Sequence, residues 1–276
     1  MNAPSTSPPA NKLQVRGKIF LCVITYRYEV DFRVTRSVEA ACFGLAARGW
    51  LPVPSYQKAN SDLEHGRNAL AAEAFMNPAQ FRKVVFIDAD VSCDEGTIER
   101  LVEHPVDLVL GSYRIKSDEH GERFALRKLP GPVQFVNPIN GEHHPNGIAK
   151  IAGGPAGMMC VSRACLEKMI KHHDNQWYGA PTVTGGKAWP LFEFDVIEHE
   201  RISEDMNFVR KWREMGGDAW VDPHLRLHHH DGGKTYSGCL ADHLHDLDVV
   251  IDPQRTAKIA AAPIDVSMAD LLAREG

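Results

Sequence analysis

Buried-strand and helical patterns alternate along residues 18–111, and this alternation constrains the fold more than any other feature of the chain. Four apolar runs, several of them rich in β-branched residues, are typical of buried strands; they begin at Lys18, Trp50, Val84 and Asp107. Three segments with helical spacing of their apolar residues separate them, at 31–48, 62–76 and 94–104. The order β-α-β-α-β-α-β predicts an α/β fold whose mostly parallel sheet is flanked by helices.

The second half of the chain has a less regular pattern. Residues 112–147 carry charges, glycines and four prolines, which predicts an irregular insertion. We predict a further strand before residue 161, helices at 163–171 and 203–215, a strand through Phe192, Phe194 and Val196, and closing strands at 218–221 and 225–228. No internal repeat or clear interdomain linker is visible, so we expect a single domain.

Composition narrows the class of protein. The 276 residues are 43% hydrophobic and 24% charged, as in soluble globular proteins, and the net charge of −5 does not favour non-specific nucleic-acid binding. No apolar run has the length of a transmembrane helix. The Ser/Pro-rich N-terminus lacks the apolar core of a signal peptide and is expected to be a disordered tail. The six cysteines form no Cys-x-x-Cys pair, which indicates a reduced, cytoplasmic protein without a structural zinc site.

Two aspartates follow the apolar strand that begins at Val84, separated by one alanine. Residues two apart on an extended chain point the same way, so Asp88 and Asp90 are expected to hold one hard cation between them. In open α/β sheets the ligand crevice lies outside the carboxyl ends of the strands. A Mg²⁺ or Mn²⁺ ion at this place would grip a substrate phosphate. The alternative is that both aspartates cap the next helix.

A second pair of carboxylates, Glu204 and Asp205, stands in the first turn of a predicted helix. A carboxylate near a bound electrophile takes a proton from an attacking hydroxyl, so the pair is a candidate general base. The structural alternative is favourable interaction with the positive end of the helix dipole.

Three histidines follow the predicted strand at residues 225–228. If Leu225 and Leu227 face the core, His229 shares their side of the strand and would complete a metal site, while spacing leaves His228 and His230 open. A solvated polar loop is the alternative.

Two further features are candidates for ligand binding. Arg67 lies near the start of the second predicted helix and suits an anion, although it is equally explained as a surface arginine. The glycine-rich segment that begins with Gly153 and Gly154 lets the backbone approach a ligand, but it lacks the phosphate-loop pattern and is otherwise a tight turn.

Taken together and in order, these segments resemble a GT-A-fold nucleotide-sugar glycosyltransferase of the bacterial family-2-like kind. The resemblance covers roughly residues 18–232 and rests on an ordered set of segments. They are CVITYR, DLEHGRNALAAEAF, VVFIDADV, GGPAGMMCVSR, RISEDMNFVRKWREMGG and WVDPHLRLHHHDG. The chain departs from the family in having three consecutive histidines and in the segment after Gly232, which offers no match.

The resemblance implies a role for each matching residue. Thr25 and Tyr26 would border the base and ribose, Arg67 would contact the nucleotide or its diphosphate, and Gly153 and Gly154 would line the sugar pocket. Asp88, Asp90 and His229 match the family's metal-binding positions, with Asp90 the more direct ligand. Asp205, beside Glu204, matches the catalytic base of an inverting enzyme. Trp189 or Trp220 would stack on a sugar or belong to the core.

The implied function is metal-dependent transfer of a sugar from a UDP- or GDP-sugar to an acceptor hydroxyl, with Mn²⁺ or Mg²⁺ as cofactor. The acceptor class stays open among a glycan, a lipid-linked glycan, a protein and modified nucleic acid, as does inversion against retention. The alternatives are a nucleotidyltransferase that forms nucleotide sugars and a non-catalytic nucleotide-sugar-binding protein. TYRYEVDFR after the first strand lacks the glycine-rich loop of nucleotidyltransferases, which disfavours the first.

The resemblance also divides the chain. Residues 1–16 are the expected tail, 17–232 the GT-A glycosyltransferase domain, and 233–276 a C-terminal extension that is a candidate active-site lid. The expected location is the cytoplasm, with peripheral association at the inner membrane face as a further option.

Overall fold

The alternation expected for the first half of the chain is present in the structure, a computed structural model that describes residues 15–25, 29–58, 62–117 and 122–244. Its elements are β1 (Gly17–Thr25), α1 (Phe32–Ala47), β2 (Trp50–Lys58), α2 (Leu63–Met76), β3 (Lys83–Asp88), β4 (Val91–Cys93), α3 (Thr97–Glu103) and β5 (Leu108–Leu110). The predicted N-terminal tail lies outside the described residues, apart from Val15 and Arg16.

The second half contributes more strands than predicted. They are β6 (Arg127–Lys128), β7 (Phe135–Val136), β8 (Ile148–Gly153), β9 (Met158–Ser162), β10 (Tyr178–Gly179), β11 (Lys187–Ala188), β12 (Asp195–Ile197), β13 (Glu200–Ile202), β14 (Trp220–Val221), β15 (Arg226–Asp231) and β16 (Lys234–Cys239). The helices are α4 (Arg163–His172) and α5 (Glu204–Glu214).

Aspartates set the starts of the first two helices. The side chain of Asp31 accepts a hydrogen bond from the backbone N–H of Arg33 at 2.9 Å, and Asp62 accepts one from that of His65 at 3.2 Å. Such caps satisfy backbone donors that have no partner within the helix. The third helix begins at Thr97 rather than at residue 94, because residues 91–93 are drawn into β4 by pairing with β15.

The central sheet has the strand order β2-β1-β3-β9-β5-β14-β8-β6, with β7 also paired to β8. Seven of its strands run in one direction, and β8 and β9 run in the other. The prediction of an α/β fold with a mostly parallel sheet flanked by helices is confirmed. The strand predicted before residue 161 is β9; its place was not predicted, because it inserts between β3 and β5 and is antiparallel to both.

The core lies on both faces of this sheet. Along β1, Phe20, Cys22 and Ile24 pack toward α2 and α4, whereas Ile19, Leu21 and Val23 pack toward α1 and α3. Burial on both faces explains why this strand is apolar at consecutive positions. All six cysteines are free thiols, as expected for a reduced protein.

The strand predicted through Phe192, Phe194 and Val196 is wrong in its extent. Phe192 is buried, but its backbone pairs with a side chain instead of a neighbouring strand. Its N–H donates to Asn68 Oδ1 at 2.7 Å, and its carbonyl accepts from Asn68 Nδ2 at 2.8 Å. The extended residues that follow form the small hairpin β12–β13 outside the main sheet, and Phe194 and Val196 are exposed.

The described part of the predicted C-terminal extension belongs to the domain. β16 pairs with β15 in an antiparallel hairpin whose turn contains Gly232, at a φ of 56°, so the predicted boundary falls within this turn. Tyr236, Cys239 and Leu240 are buried. Residues 245–276, the rest of the candidate lid, lie outside the described residues. Among the residues described, no helix has the length and hydropathy to cross a bilayer.

Asp222, the residue after β14, connects this strand to α3. Its buried carboxylate accepts hydrogen bonds from Arg100 Nε at 2.5 Å and from the N–H of His224 at 3.0 Å, and it lies 2.7 Å from His104 Nε2. Burial raises the pKa of Asp222, but His104 and Arg100 outweigh it and hold that pKa below its ordinary value. The carboxylate therefore stabilises the fold above the pKa of an unfolded aspartate, about 4, and this contribution is lost as the pH falls through its folded pKa.

We expect Asp222→Asn to lower the free energy of unfolding by about 2 kcal/mol at pH 7, because charge-assisted hydrogen bonds are lost. The difference from the unmodified protein should narrow as the pH falls below about 4. Urea unfolding across this pH range measures both. Asp218→Asn, at the exposed Lys150–Asp218 pair, is the control and should have little effect. Equal losses in the two variants would contradict the assignment.

Candidate active site

A cavity of about 490 Å³ opens at the carboxyl ends of β1 and β3. Its lining includes Ile24, Asp31, Leu63, Asp88, Asp90 and His230. In open α/β sheets this edge is where ligands bind. The first predicted feature, the aspartate pair, is therefore at the cavity wall.

The two aspartates do not share one strand face, contrary to the expectation from their spacing. Asp88 ends β3, and the chain turns at Ala89 and Asp90, where the N–H of Ala89 donates to the carbonyl of Ile24 at 3.1 Å. The same-side rule applies to extended chain only. The turn therefore gives the two carboxylates different partners.

Asp88 belongs to a buried ion-pair network centred on Arg67. The guanidinium of Arg67, which is 3% exposed, donates from Nη2 to Asp88 Oδ1 at 2.7 Å and from Nη1 to Glu204 Oε1. It joins α2, the end of β3 and the first turn of α5. The alternative of a surface arginine is excluded by this burial.

Burial and neighbouring charge act in opposite directions on this network. Burial lowers the pKa of Arg67, but the carboxylates of Asp88, Glu204 and Asp205 outweigh it and raise that pKa above its ordinary value. Burial raises the pKa of Glu204, Arg67 opposes this effect, and the net shift is upward. The guanidinium therefore stays charged, and Glu204 gains a proton more readily than a solvated glutamate.

Tyr113 contacts the same network from the segment after β5. Its hydroxyl donates to Asp88 Oδ2 at 3.4 Å. Burial, followed by the charges of Asp88 and Asp205, holds the pKa of Tyr113 well above its ordinary value. Tyr113 therefore remains a neutral hydrogen-bond donor.

Asp90 faces a different set of groups. Lys116 Nζ lies 2.6 Å from Asp90 Oδ2, and His229 Nε2 lies 3.7 Å from the same oxygen. Burial raises the pKa of Asp90, but His229 and Lys116 outweigh it and hold that pKa at about 2. Asp90 is therefore ionised throughout the physiological range.

The structure separates the roles of the three consecutive histidines. Only His229 faces Asp90, and its ring packs edge-on to Tyr113 with centroids 4.8 Å apart. His228 contacts Asp94 and Ser237 at 2.9 and 2.8 Å on the other side of β15. His230 is buried against Ser92 and Thr235. Leu225 and Leu227 are buried, as the expectation for His229 required.

Asp205 lies beside the Arg67 network without an ion pair among the contacts of the described residues. Both hydrogen bonds that it accepts there, from Ser203 Oγ and from the N–H of Met206, go to Oδ1. Ser203 occupies the cap position of α5, but its hydroxyl bonds Asp205 instead of the helix backbone. Asp205 Oδ2 accepts no hydrogen bond among the contacts of the described residues.

Another glycine, Gly157, makes a closer approach to the site than Gly153 and Gly154. The N–H of Asp88 donates to the carbonyl of Gly157 at 3.1 Å, and a Cβ at Gly157 would lie 2.5 Å from Asp88 Oδ2 and from the Tyr113 hydroxyl. A Cβ at Gly153 would meet Met206, and one at Gly154 would meet Leu110. Gly153 and Gly154 thus permit packing of β8.

The remaining predicted residues contribute unequally. Thr25 ends β1 and is 5% exposed, next to the cavity-lining Ile24. Tyr26 lies outside the described residues. Trp189 is buried against Phe75 with ring centroids 5.8 Å apart, which identifies it as core. Trp220 lies on β14, under the Lys150 ammonium at 5.3 Å.

Sequence reasoning missed Tyr113 and Lys116, because both lie in the segment treated as an irregular insertion. Their position in the chain could have identified them. Both lie in the segment that follows the carboxyl end of β5, just as Asp88 lies at the carboxyl end of β3. The rule that ligands meet the carboxyl ends of strands applies to both strands.

Asp90 and His229 are suited to act as two ligands of a divalent cation. His229 Nδ1 lies 2.9 Å from the carbonyl of Arg114; a carbonyl accepts, so Nδ1 carries a proton, and Nε2 is the ring nitrogen that would bind a metal. Metal-binding histidines commonly donate their other ring N–H in this way. Within the described residues, no group of three His, Cys, Asp or Glu side chains is arranged to hold a metal. Substrate oxygens and water would have to complete the coordination.

Comparison with known proteins adds little beyond the architecture. No protein-family model matches the chain, and no curated protein matches it. Similar solved structures include A197 from STIV, with a TM-score of 0.43 and 15% identity over 78% of this chain and 86% of that one.

Two other similar structures are glycosyltransferases. The catalytic domain of Drosophila beta1,4galactosyltransferase 7, in complex with xylobiose, has a TM-score of 0.37 and 15% identity over 75% of this chain and 65% of that one. A glycosyltransferase involved in the glycosylation of the major capsid of PBCV-1 has a TM-score of 0.30 and 13% identity over 57% of this chain and 66% of that one. Likenesses at this level carry no functional argument, and the fold class rests on the sheet topology.

Arg67 tests the buried network. Arg67→Met leaves Asp88 and Glu204 without their shared cation, so we expect the free energy of unfolding in urea to fall by about 3–5 kcal/mol. The control, Arg226→Met, breaks the exposed Arg226–Asp242 pair and should cost at most about 1 kcal/mol. Similar losses in both variants would show that the Arg67 network does not hold these elements together.

Gly157 tests the close approach of the backbone to Asp88. Gly157→Ala forces Asp88 or Tyr113 to move, and we expect a loss of about 1–3 kcal/mol in thermal unfolding. Gly179→Ala is the matched control, because no atom lies within 4 Å of the added methyl group. A Gly157→Ala variant as stable as this control would refute the close packing.

Proposed function

We propose that this chain is a glycosyltransferase that moves a sugar from a nucleoside-diphosphate sugar, with UDP or GDP as nucleotide, to an acceptor hydroxyl. The observation that carries the proposal is that Asp88 and Asp90 line one cavity. Arg67 joins Glu204, and with it the neighbouring Asp205, to Asp88, and His229 faces Asp90. The carboxylates and His229 come from β3, the turn after it, α5 and β15. Such a set combines a candidate cation-binding centre with a candidate base, which is the chemistry that glycosyl transfer from a diphosphate requires.

The cavity supplies the donor site in this proposal. Its volume of about 490 Å³ lies within the range of small-molecule sites, about 300–1,000 Å³. Thr25, which ends β1 next to the cavity-lining Ile24, would border the nucleotide. Arg67 is saturated by two carboxylates, so we assign it to positioning Asp88 and Glu204 rather than to direct contact with the diphosphate.

Asp90 and His229 would hold the divalent ion, Mn²⁺ or Mg²⁺, of the proposed reaction. Bound there, the ion would act as a Lewis acid on the oxygens of the leaving diphosphate. Imidazole favours Mn²⁺ over Mg²⁺ as the physiological ion. Tyr113 and Gly157 maintain the geometry by fixing the neighbouring Asp88.

Asp205 is the proposed general base. Its Oδ2 is available within the described contacts, whereas Glu204 is committed to Arg67. A carboxylate that takes the acceptor proton as the new bond forms favours attack from the face opposite the leaving group, hence inversion. The acceptor is a hydroxyl of a glycan, a lipid-linked glycan, a protein or modified nucleic acid.

A screen of UDP-, GDP- and dTDP-sugars with Mn²⁺ tests the proposal by thermal shift. One donor should raise the Tm in a metal-dependent way, and Asp90→Ala should abolish the shift. Asp205→Asn should retain the shift and lose at least about 100-fold in transfer rate, the lower range of a general base's contribution. Asp94→Asn, which alters an exposed carboxylate paired with His228, is the control and should preserve both.

The products distinguish the competing functions. Transfer releases a nucleoside diphosphate, whereas a nucleotidyltransferase releases pyrophosphate. Donor binding without hydrolysis or transfer to any acceptor would instead identify a non-catalytic binding protein. An Asp90→Ala variant that keeps the metal-dependent shift would refute the metal assignment.

A further inference from the structure

Lys116 occupies the position at Asp90 where a metal ion would bind. Its Nζ lies 2.6 Å from Asp90 Oδ2, the oxygen that also faces His229 Nε2 at 3.7 Å. The ammonium group and a divalent ion would therefore use the same carboxylate oxygen. Two cations at one oxygen repel each other strongly, so the binding of one opposes the binding of the other.

The backbone just before Lys116 is held by the segment at residues 123–125. The N–H of Ile115 donates to the carbonyl of Arg123 at 2.8 Å, and the N–H of Ala125 donates to that of Tyr113 at 2.9 Å. The carbonyl of Arg114, in the same segment, fixes the ring of His229. Departure of Lys116 from Asp90 therefore requires only rotation of its flexible side chain and leaves His229 in place.

We propose that Lys116 serves as a built-in cation that holds Asp90 in the ligand-free protein, and that a divalent ion binds by displacing it. This inference rests on the metal site of the proposed function. Lys116 neutralises and orients Asp90 until the ion arrives, which keeps the affinity of the free protein for metal low. The released ammonium group then stays close to Asp90, which lines the cavity, where it would attract an anionic donor.

Mn²⁺ titration of the full chain without donor tests this inference, with free Mn²⁺ followed by electron paramagnetic resonance. Lys116→Met should bind Mn²⁺ about tenfold more tightly than the unmodified protein, which corresponds to Lys116 covering Asp90 in about nine of ten molecules. Lys116→Gln should show the same direction and guards against misfolding of the first variant. Asp90→Asn in the Lys116→Met background should remove the binding.

A charge-matched control separates displacement from general electrostatics. Arg33 pairs with the cavity-lining Asp31 at 2.5 Å, so Arg33→Gln removes a positive charge at the same cavity without altering a contact of Asp90. Its Mn²⁺ affinity should stay within about twofold of the unmodified protein, since the displaced cation is unaffected.

Each other outcome overturns the inference in a distinguishable way. Equal Mn²⁺ affinity in the unmodified protein and both Lys116 variants would show that Lys116 does not compete, while the metal site itself would stand. Equal tightening in Arg33→Gln and Lys116→Met would reduce the effect to net charge. Absence of Mn²⁺ binding even in the Lys116 variants would refute both this inference and the proposed metal site.

Discussion

The buried guanidinium of Arg67 is the interaction on which the arrangement of the site depends. It joins α2 to the end of β3 and to α5, whose Glu204 lies 137 positions further along the chain. A charge that is 3% exposed is tolerated only when its hydrogen bonds and countercharges are supplied locally. Asp88 and Glu204 supply them, so the first turn of α5 is fixed relative to the sheet. The position of Asp205, the next residue, follows from that constraint.

Much of the fold was predictable because local patterns encode it. The residues of β1 are buried alternately on the two faces of the sheet, so a continuous apolar run identified a central strand. The helical spacing of apolar residues placed the starts of α1 and α2 within one residue of where Asp31 and Asp62 cap them. The neighbour of β3 in the sheet was not predicted correctly. The predicted alternation has β5 following β3, whereas β9 lies beside β3 and is antiparallel to it. The apolar run of β9 indicates a buried strand, but no local pattern specifies which strand it joins.

The sequence predicted which residues lie near the candidate site better than it predicted which of them contact one another. The strand-end rule located Asp88 and Asp90, and the facing of Leu225 and Leu227 selected His229 among the histidines. The assumption that the aspartates share a face failed because a turn follows Asp88. Lys116 and Tyr113 were missed since their pairing depends on tertiary proximity across a segment without regular pattern. Phe194 shows the same limit, because the alternation that suggested a strand lies in a hairpin outside the sheet.

The aspartate pair is therefore divided between two physical tasks. Asp88 is paired with the buried guanidinium of Arg67, whose movement would leave the carboxylates of Asp88 and Glu204 without a countercharge. Gly157 and Tyr113 fix Asp88 further. Asp90 is 43% exposed and bound to Lys116, whose flexible stem allows the ammonium group to move into solvent. The proposed exchange of a metal ion at a site of fixed geometry would use both kinds of carboxylate, one rigid and one available. The turn at Ala89 separates the two aspartates, so the rule that residues two apart share a face does not apply to them. Because of this separation, each aspartate has a distinct partner.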